Sequence, residues 1–114
     1  MPDRAIDTPV YEMKAELFKA LGHPVRIRTL ELLRDGDQAV STLLEEIGIE
    51  ASHLSQHLAV LRRTGVVTKS RRGNAVTYRL VDPALAAMLD AARAFLVGSL
   101  DRTSDALTGT EAGR

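Results

Sequence analysis

The stretch from Ala51 to Leu80, ASHLSQHLAVLRRTGVVTKSRRGNAVTYRL, changes its hydrophobic period part-way along, and that change constrains the fold more than any other feature of the chain. Leu54, Leu58 and Leu61 recur at i, i+4 and i+7, the spacing that puts three side chains on one face of a helix. Ser55, Gln56 and Ala59, with His53 near the start, lie off that stripe. Ser52 is a good N-cap and Gly65 a good C-cap, so a helix is predicted over Ser52 to Thr64. From Val66 to Lys69 the period falls to two. Arg71-Arg72-Gly73-Asn74 is turn chemistry, since Gly and Asn tolerate φ > 0, and Ala75 to Leu80 returns as a second strand with Val76, Tyr78 and Leu80 on one face.

The same interval carries the charge. Over the whole chain 15 Lys+Arg balance 15 Asp+Glu, yet Ala51 to Val81 holds Arg62, Arg63, Lys69, Arg71, Arg72 and Arg79 and no acid. The compensating acids flank it, Glu45, Glu46 and Glu50 before and Asp82, Asp90, Asp101 and Asp105 after. Zero net charge therefore hides a polarised molecule, and a local basic patch attracts polyanions whatever the total.

The 114 residues, 45% of them hydrophobic, suit one small globular domain, for which dimerisation is an ordinary source of extra core. The absence of cysteine removes disulfides, thiolate metal sites and thiol switches together. With no signal peptide and no run of about 18 apolar residues, a soluble, cytoplasmic protein without membrane contact is expected. Residues 1–10 and 108–114 are polar, with Gly, Pro and Thr, and are expected to be flexible ends around a domain spanning 11–107.

Four further elements are predicted. Met13, Leu17, Ala20 and Leu21 make an amphipathic helix from Tyr11 to Leu21, stopped by Gly22-His23-Pro24. Pro24 suits the first turn of a second helix, with Ile27, Leu30 and Leu33 inward, Val25 and Leu32 flanking them, and Arg26, Arg28 and Arg34 outside. Ser41 caps a short third helix carrying Leu43, Leu44 and Ile47, which ends at Gly48. After Asp82-Pro83 a long helix, about Ala84 to Leu107, bears Leu85, Met88, Leu89, Ala92, Phe95, Leu96 and Leu100. That surface is wide for a terminal helix, and with Leu17 it is the candidate to pack on the first helix and on a second copy of the chain. The third and fourth helices, joined at Gly48 to Ala51, make a helix-turn-helix pattern. The fold class expected is mainly α with a small β-hairpin.

Leu21-Gly-His-Pro-x-Arg-Ile, Leu54-Ser-Gln-His-Leu-x-x-Leu-Arg-x-x-Gly-Val-Val and Arg72-Gly-Asn-x-x-x-Tyr-x-Leu resemble the ArsR/SmtB family of winged helix-turn-helix repressors over roughly Met13 to Leu100. The resemblance implies an α-α-α-α-β-β-α homodimer that binds palindromic operator DNA and answers to an effector. Within the family the chain looks similar to a nickel-associated member, which implies a partner protein supplying any metal response.

The second helix of such a pair lies in the major groove with its N-terminal residues at the base edges. Ser52, His53, Ser55 and Gln56 are the candidates for direct contact, Gln56 bidentately to adenine. Arg62 and Arg63 at the helix end, and Lys69, Arg71 and Arg72 on the wing, suit phosphates, with a wing arginine entering the minor groove.

The resemblance also implies where a metal would sit. At the third helix, Ala39 with Val40, Ser41 and Thr42 offers no thiolate. Across the last helices, Asp82, Ala84, Phe95 and Gly98 keep one ligand of four. His53 and His57 are spaced i, i+4, as two ligands of one ion would be, although their place on the fourth helix favours DNA contact; His23 is expected to cap or pack. Weak nickel or zinc binding, there or at Asp3, Asp7, Glu12 and Glu16, a small-molecule effector and an effector protein are the open alternatives. An enzyme is not expected: there is no cysteine nucleophile, Gly-rich phosphate loop, Gly-x-Ser-x-Gly elbow or convergent carboxylate pair.

Overall fold

The computed structural model describes residues 2–112, with side chains over residues 9–105. The elements run α1 (Pro2–Leu21), α2 (Pro24–Leu32), β1 (Gln38–Ala39), α3 (Val40–Ile47), α4 (Ala51–Thr64), β2 (Val67–Arg72), β3 (Ala75–Leu80) and α5 (Ala84–Ala112). The architecture is mainly α, with an antiparallel sheet ordered β1-β3-β2. Leu21, Leu30, Leu33, Leu43, the three leucines of α4, Val66, Val67, Tyr78 and Leu89 form one buried cluster.

Several boundaries and faces differ from the sequence expectation. Helix α1 begins at Pro2 rather than Tyr11 and continues through Pro9, which has no N–H for the preceding turn. Helix α5 runs on to Ala112, five residues past Leu107 and into the stretch expected as a flexible tail. In α2, Ile27 is 36% exposed, while Thr29 is buried and donates its hydroxyl to the Val25 carbonyl at 2.7 Å. With apolar Val25, Ile27, Leu30, Leu32 and Leu33 spread around α2, the spacing leaves open which sector faces inward, and packing turned the helix toward Thr29, Leu30 and Leu33. Arg26 is carried partly inside with them. Arg28 and Arg34 stay on the surface, Arg28 4.0 Å from Glu46 and Arg34 paired with Asp90 of α5.

Neither Ser41 nor Ser52 is an N-cap. Ala39 and Glu50 hold those places, with no side-chain cap bond. Each helix is capped two residues early because the preceding residues arrive extended, Gln38 and Ala39 through pairing with Tyr78 and Thr77 of β3. Both serine hydroxyls are thereby left exposed at the second helical position.

Helix α5 packs chiefly on α2 rather than on α1. Of the residues expected at a dimer interface, Leu89 belongs to the chain's own core, and Leu17, Leu85 and Met88 pack half-buried against it. Ala92, Phe95 and Leu96 are exposed, as are Tyr11, Phe18 and Leu100. The radius of gyration is 18.7 Å, against about 13 Å for a compact chain of this length. Two apolar helices therefore stand out from the core unpartnered. No helix among the described residues is long and apolar enough to cross a membrane.

Candidate nucleic-acid interface

The interface is built around the azimuth of α4. Gly48, at φ 76°, closes α3 in the left-handed conformation, Ile49 and Glu50 turn the chain, and Leu54, Leu58 and Leu61 are fully buried. With those leucines inward, a 3.6-residue period points Ser52 and Gln56 straight outward, Ser55 and Arg62 to one side, and His53 and His57 to the other. Ser52, His53, Ser55 and Gln56 are all exposed, and no hydrogen bond to their side chains is found among the described residues. They present unsatisfied donors and acceptors at the positive end of a 14-residue helix.

The wing is set beside them by its register. Lys69 pairs with Tyr78, Arg71 with Val76 and Arg72 with Ala75, so the two arginines expected in the turn are strand residues, and only Gly73-Asn74 connects them. Gly73 takes φ 61° and Asn74 does not, as in a hairpin turn with glycine first. Alternation puts Lys69 and Arg71 on the face shared with Tyr78, and Arg72 on the opposite face with Arg79. On that second face Ser70 and Thr77 hydroxyls bond at 2.8 Å. Lys69 and Ser55 line one cleft of about 210 Å³ between the wing and α4. The lysine thus stands at the recognition helix rather than at the tip, while Arg71 and Arg72 project beyond it.

Two further cations are placed by the packing. Arg63, expected beside Arg62 at the helix end, lines the cleft between α1 and α4, because it falls about 100° around the helix from Arg62. Arg79, which the sequence marks only as part of the basic interval, is exposed on the face of Arg72. The period-2 alternation from Tyr78 already carries that signal.

His23 and His57 are engaged at the α2–α4 junction. His23 is the N-cap of α2, its Nδ1 accepting the Val25 N–H at 3.1 Å, the capping role expected of it. The His57 ring lies 4.3 Å from that of His23, centroid to centroid, and the Arg26 Nη1 is 3.5 Å from its Nδ1. A guanidinium at that nitrogen opposes a shared metal site with exposed His53. Asp82 accepts the Ala84 N–H at 2.8 Å and so caps α5. Glu12 and Glu16 are exposed on α1, and the side chains of Asp3 and Asp7 lie outside the described residues.

Burial, with His23, Arg26 and His53 adding to it, lowers the His57 pKa below its ordinary value. The folded chain then binds fewer protons than the unfolded one as the pH falls below about 6.5. The stability held by neutral His57 is complete above that pH and is lost progressively below it. The urea midpoint is expected to fall between about pH 7 and pH 5.5, and His57→Gln to flatten that fall. Identical profiles for the two proteins would put the pH dependence elsewhere.

The family model described as bacterial regulatory protein, arsR family, matches residues 23–69, from the cap of α2 into the wing. The uncharacterized HTH-type transcriptional regulator Rv0081 of Mycobacterium tuberculosis is 47% identical over 106 residues, covering 92% of this chain and 93% of that protein. Its crystal structure superposes with a TM-score of 0.77 at 49% identity, covering 83% of this chain and 96% of that one. The transcriptional repressor BigR from Xylella fastidiosa superposes with a TM-score of 0.70 at 34% identity, covering 83% and 96%.

Proposed function

The chain belongs to the ArsR family of bacterial regulatory proteins and is a DNA-binding winged helix-turn-helix regulator of transcription, and from that premise we propose that it acts as a homodimeric repressor on two-fold-symmetric operator DNA in the cytoplasm. The observation that carries this reading is the exposed, unbonded set Ser52, His53, Ser55 and Gln56 at the start of α4, with Lys69 beside it and Arg71 and Arg72 beyond. Ser52 and Gln56 point into the major groove, the others contact bases or nearby phosphates, and Arg62, Lys69, Arg71, Arg72 and Arg79 hold the backbone. The unpartnered apolar side chains of α5, Phe95, Leu96 and Leu100, with Tyr11 and Phe18 of α1, support the dimer. A two-fold dimer sets its half-sites about 34 Å apart.

A mobility-shift titration on the DNA upstream of the protein's own coding region, at rising salt, tests the reading. Binding that weakens steeply with salt is expected. Gln56→Ala should cost about 1–3 kcal/mol against the preferred base at one position of each half-site and leave binding to unrelated DNA unchanged. No shift even at low salt would remove the regulator reading. Repeating the titration with nickel, zinc, cobalt and a chelator reads out any metal response of the chain alone, and an unchanged shift assigns that response elsewhere.

A further inference from the structure

Helices α1 and α4 diverge around an open cleft of about 1100 Å³ that DNA binding leaves unused. Ligand pockets run to roughly 1000 Å³, so the space suits a small molecule with an extended chain. Met13, Leu17 and Val60 give it an apolar wall. Four lining cations, Lys14, Lys19, Arg26 and Arg63, outnumber the two lining acids, Glu12 and Glu16. The charge balance favours an anion, and the wall favours a hydrocarbon tail.

Arg26 supplies the specific group. It lines the cleft from the first turn of α2, yet its Nε is buried with no hydrogen-bond partner, while Nη1 reaches only His57. A guanidinium has five N–H donors and no acceptor, and a carboxylate matches its fork. Nε is closed off from the cleft, so the donor a carboxylate in the cleft reaches is Nη2, for which no hydrogen bond is found among the described residues. A second copy of the chain has a different surface to use: Tyr11 and Phe18, seven residues apart, lie on the far side of α1 from Met13 and Leu17.

We propose that the α1–α4 cleft binds an amphipathic monocarboxylate, its head group on Arg26 and its aliphatic chain against Met13, Leu17 and Val60. Val60 and His57 both belong to the recognition helix, so occupancy bears directly on its seating. The effect on DNA rests on the regulator reading above, whereas the binding itself does not.

Titration calorimetry of the full chain with decanoate, against decyltrimethylammonium as the cation with the same tail, tests the site without DNA. Saturable binding of decanoate alone is expected. Arg26→Met should weaken it about tenfold or more. Met13→Glu, at a side chain 70% exposed and so harmless to folding, should weaken it as well, by placing a carboxylate in the cleft. Phe95→Glu should leave it intact. Absence of saturable binding, equal binding of the cation, undiminished binding in Met13→Glu or in folded Arg26→Met, or loss in Phe95→Glu would each overturn the assignment. Should decanoate bind as expected while no operator shift exists at any salt, the regulator reading fails and the cleft stands.

Discussion

With both wing arginines removed, Arg71→Ala/Arg72→Ala, the protein is expected to bind its operator on the order of 10²-fold more weakly at 50 mM salt, with a log–log salt slope shallower by about 3 to 4. The arithmetic follows from about 0.9 per phosphate contact and four arginines in a dimer. Both side chains are exposed on paired strand residues and reach out from a two-residue turn, so their removal leaves the hairpin's ladder intact. Phosphates carry no base identity, so the preference for operator over unrelated DNA should persist. That is the opposite of the pattern expected for Gln56→Ala. Titration by fluorescence anisotropy at several salt concentrations separates the two, and an unchanged slope would take the wing off the DNA.

The second large effect distinguishes two apolar positions of α5, Phe95 and Leu89, that look alike in sequence. Phe95→Glu, at a side chain 64% exposed, is expected to yield a folded monomer in sedimentation, with normal helical circular dichroism. Operator affinity should then fall about 10²- to 10⁴-fold, because the two half-sites no longer share one effective concentration. Leu89→Glu, at a side chain 9% exposed inside the chain's own core, should act on folding instead. An unpaired carboxylate buried among leucines costs several kcal/mol and should lower Tm by more than about 10 °C. A Phe95→Glu variant that remains dimeric would move the interface away from this part of α5.

These two experiments also mark where sequence reasoning reaches its limit. The stripe Leu54, Leu58, Leu61 specifies a helix and its buried face, because three leucines at helical spacing among polar residues have one sector to hide. The glycines at 48 and 65 end helices where expected, in the left-handed conformation. Strand β1 was illegible, because two residues carry no period and Gln38 and Ala39 become a strand only through a partner some forty residues later. Arg63 and Arg62 are equivalent as neighbouring charges, and only the position of α1 sends one into a cleft.

The sequence by itself determined the local elements, the winged helix-turn-helix order and the acid-free basic interval, since periodicity, capping and charge are properties of short stretches. It also carried the family resemblance, and with it DNA binding. The tertiary structure decided which sector of each helix is covered: Thr29 rather than Ile27 in α2, Leu89 in the core with Phe95 outside in α5, and Arg26 half-buried with one donor unbonded. Burial depends on what packs opposite, and neighbours in space are distant in the chain. Residues with one spacing therefore acquire different roles only when the helices meet.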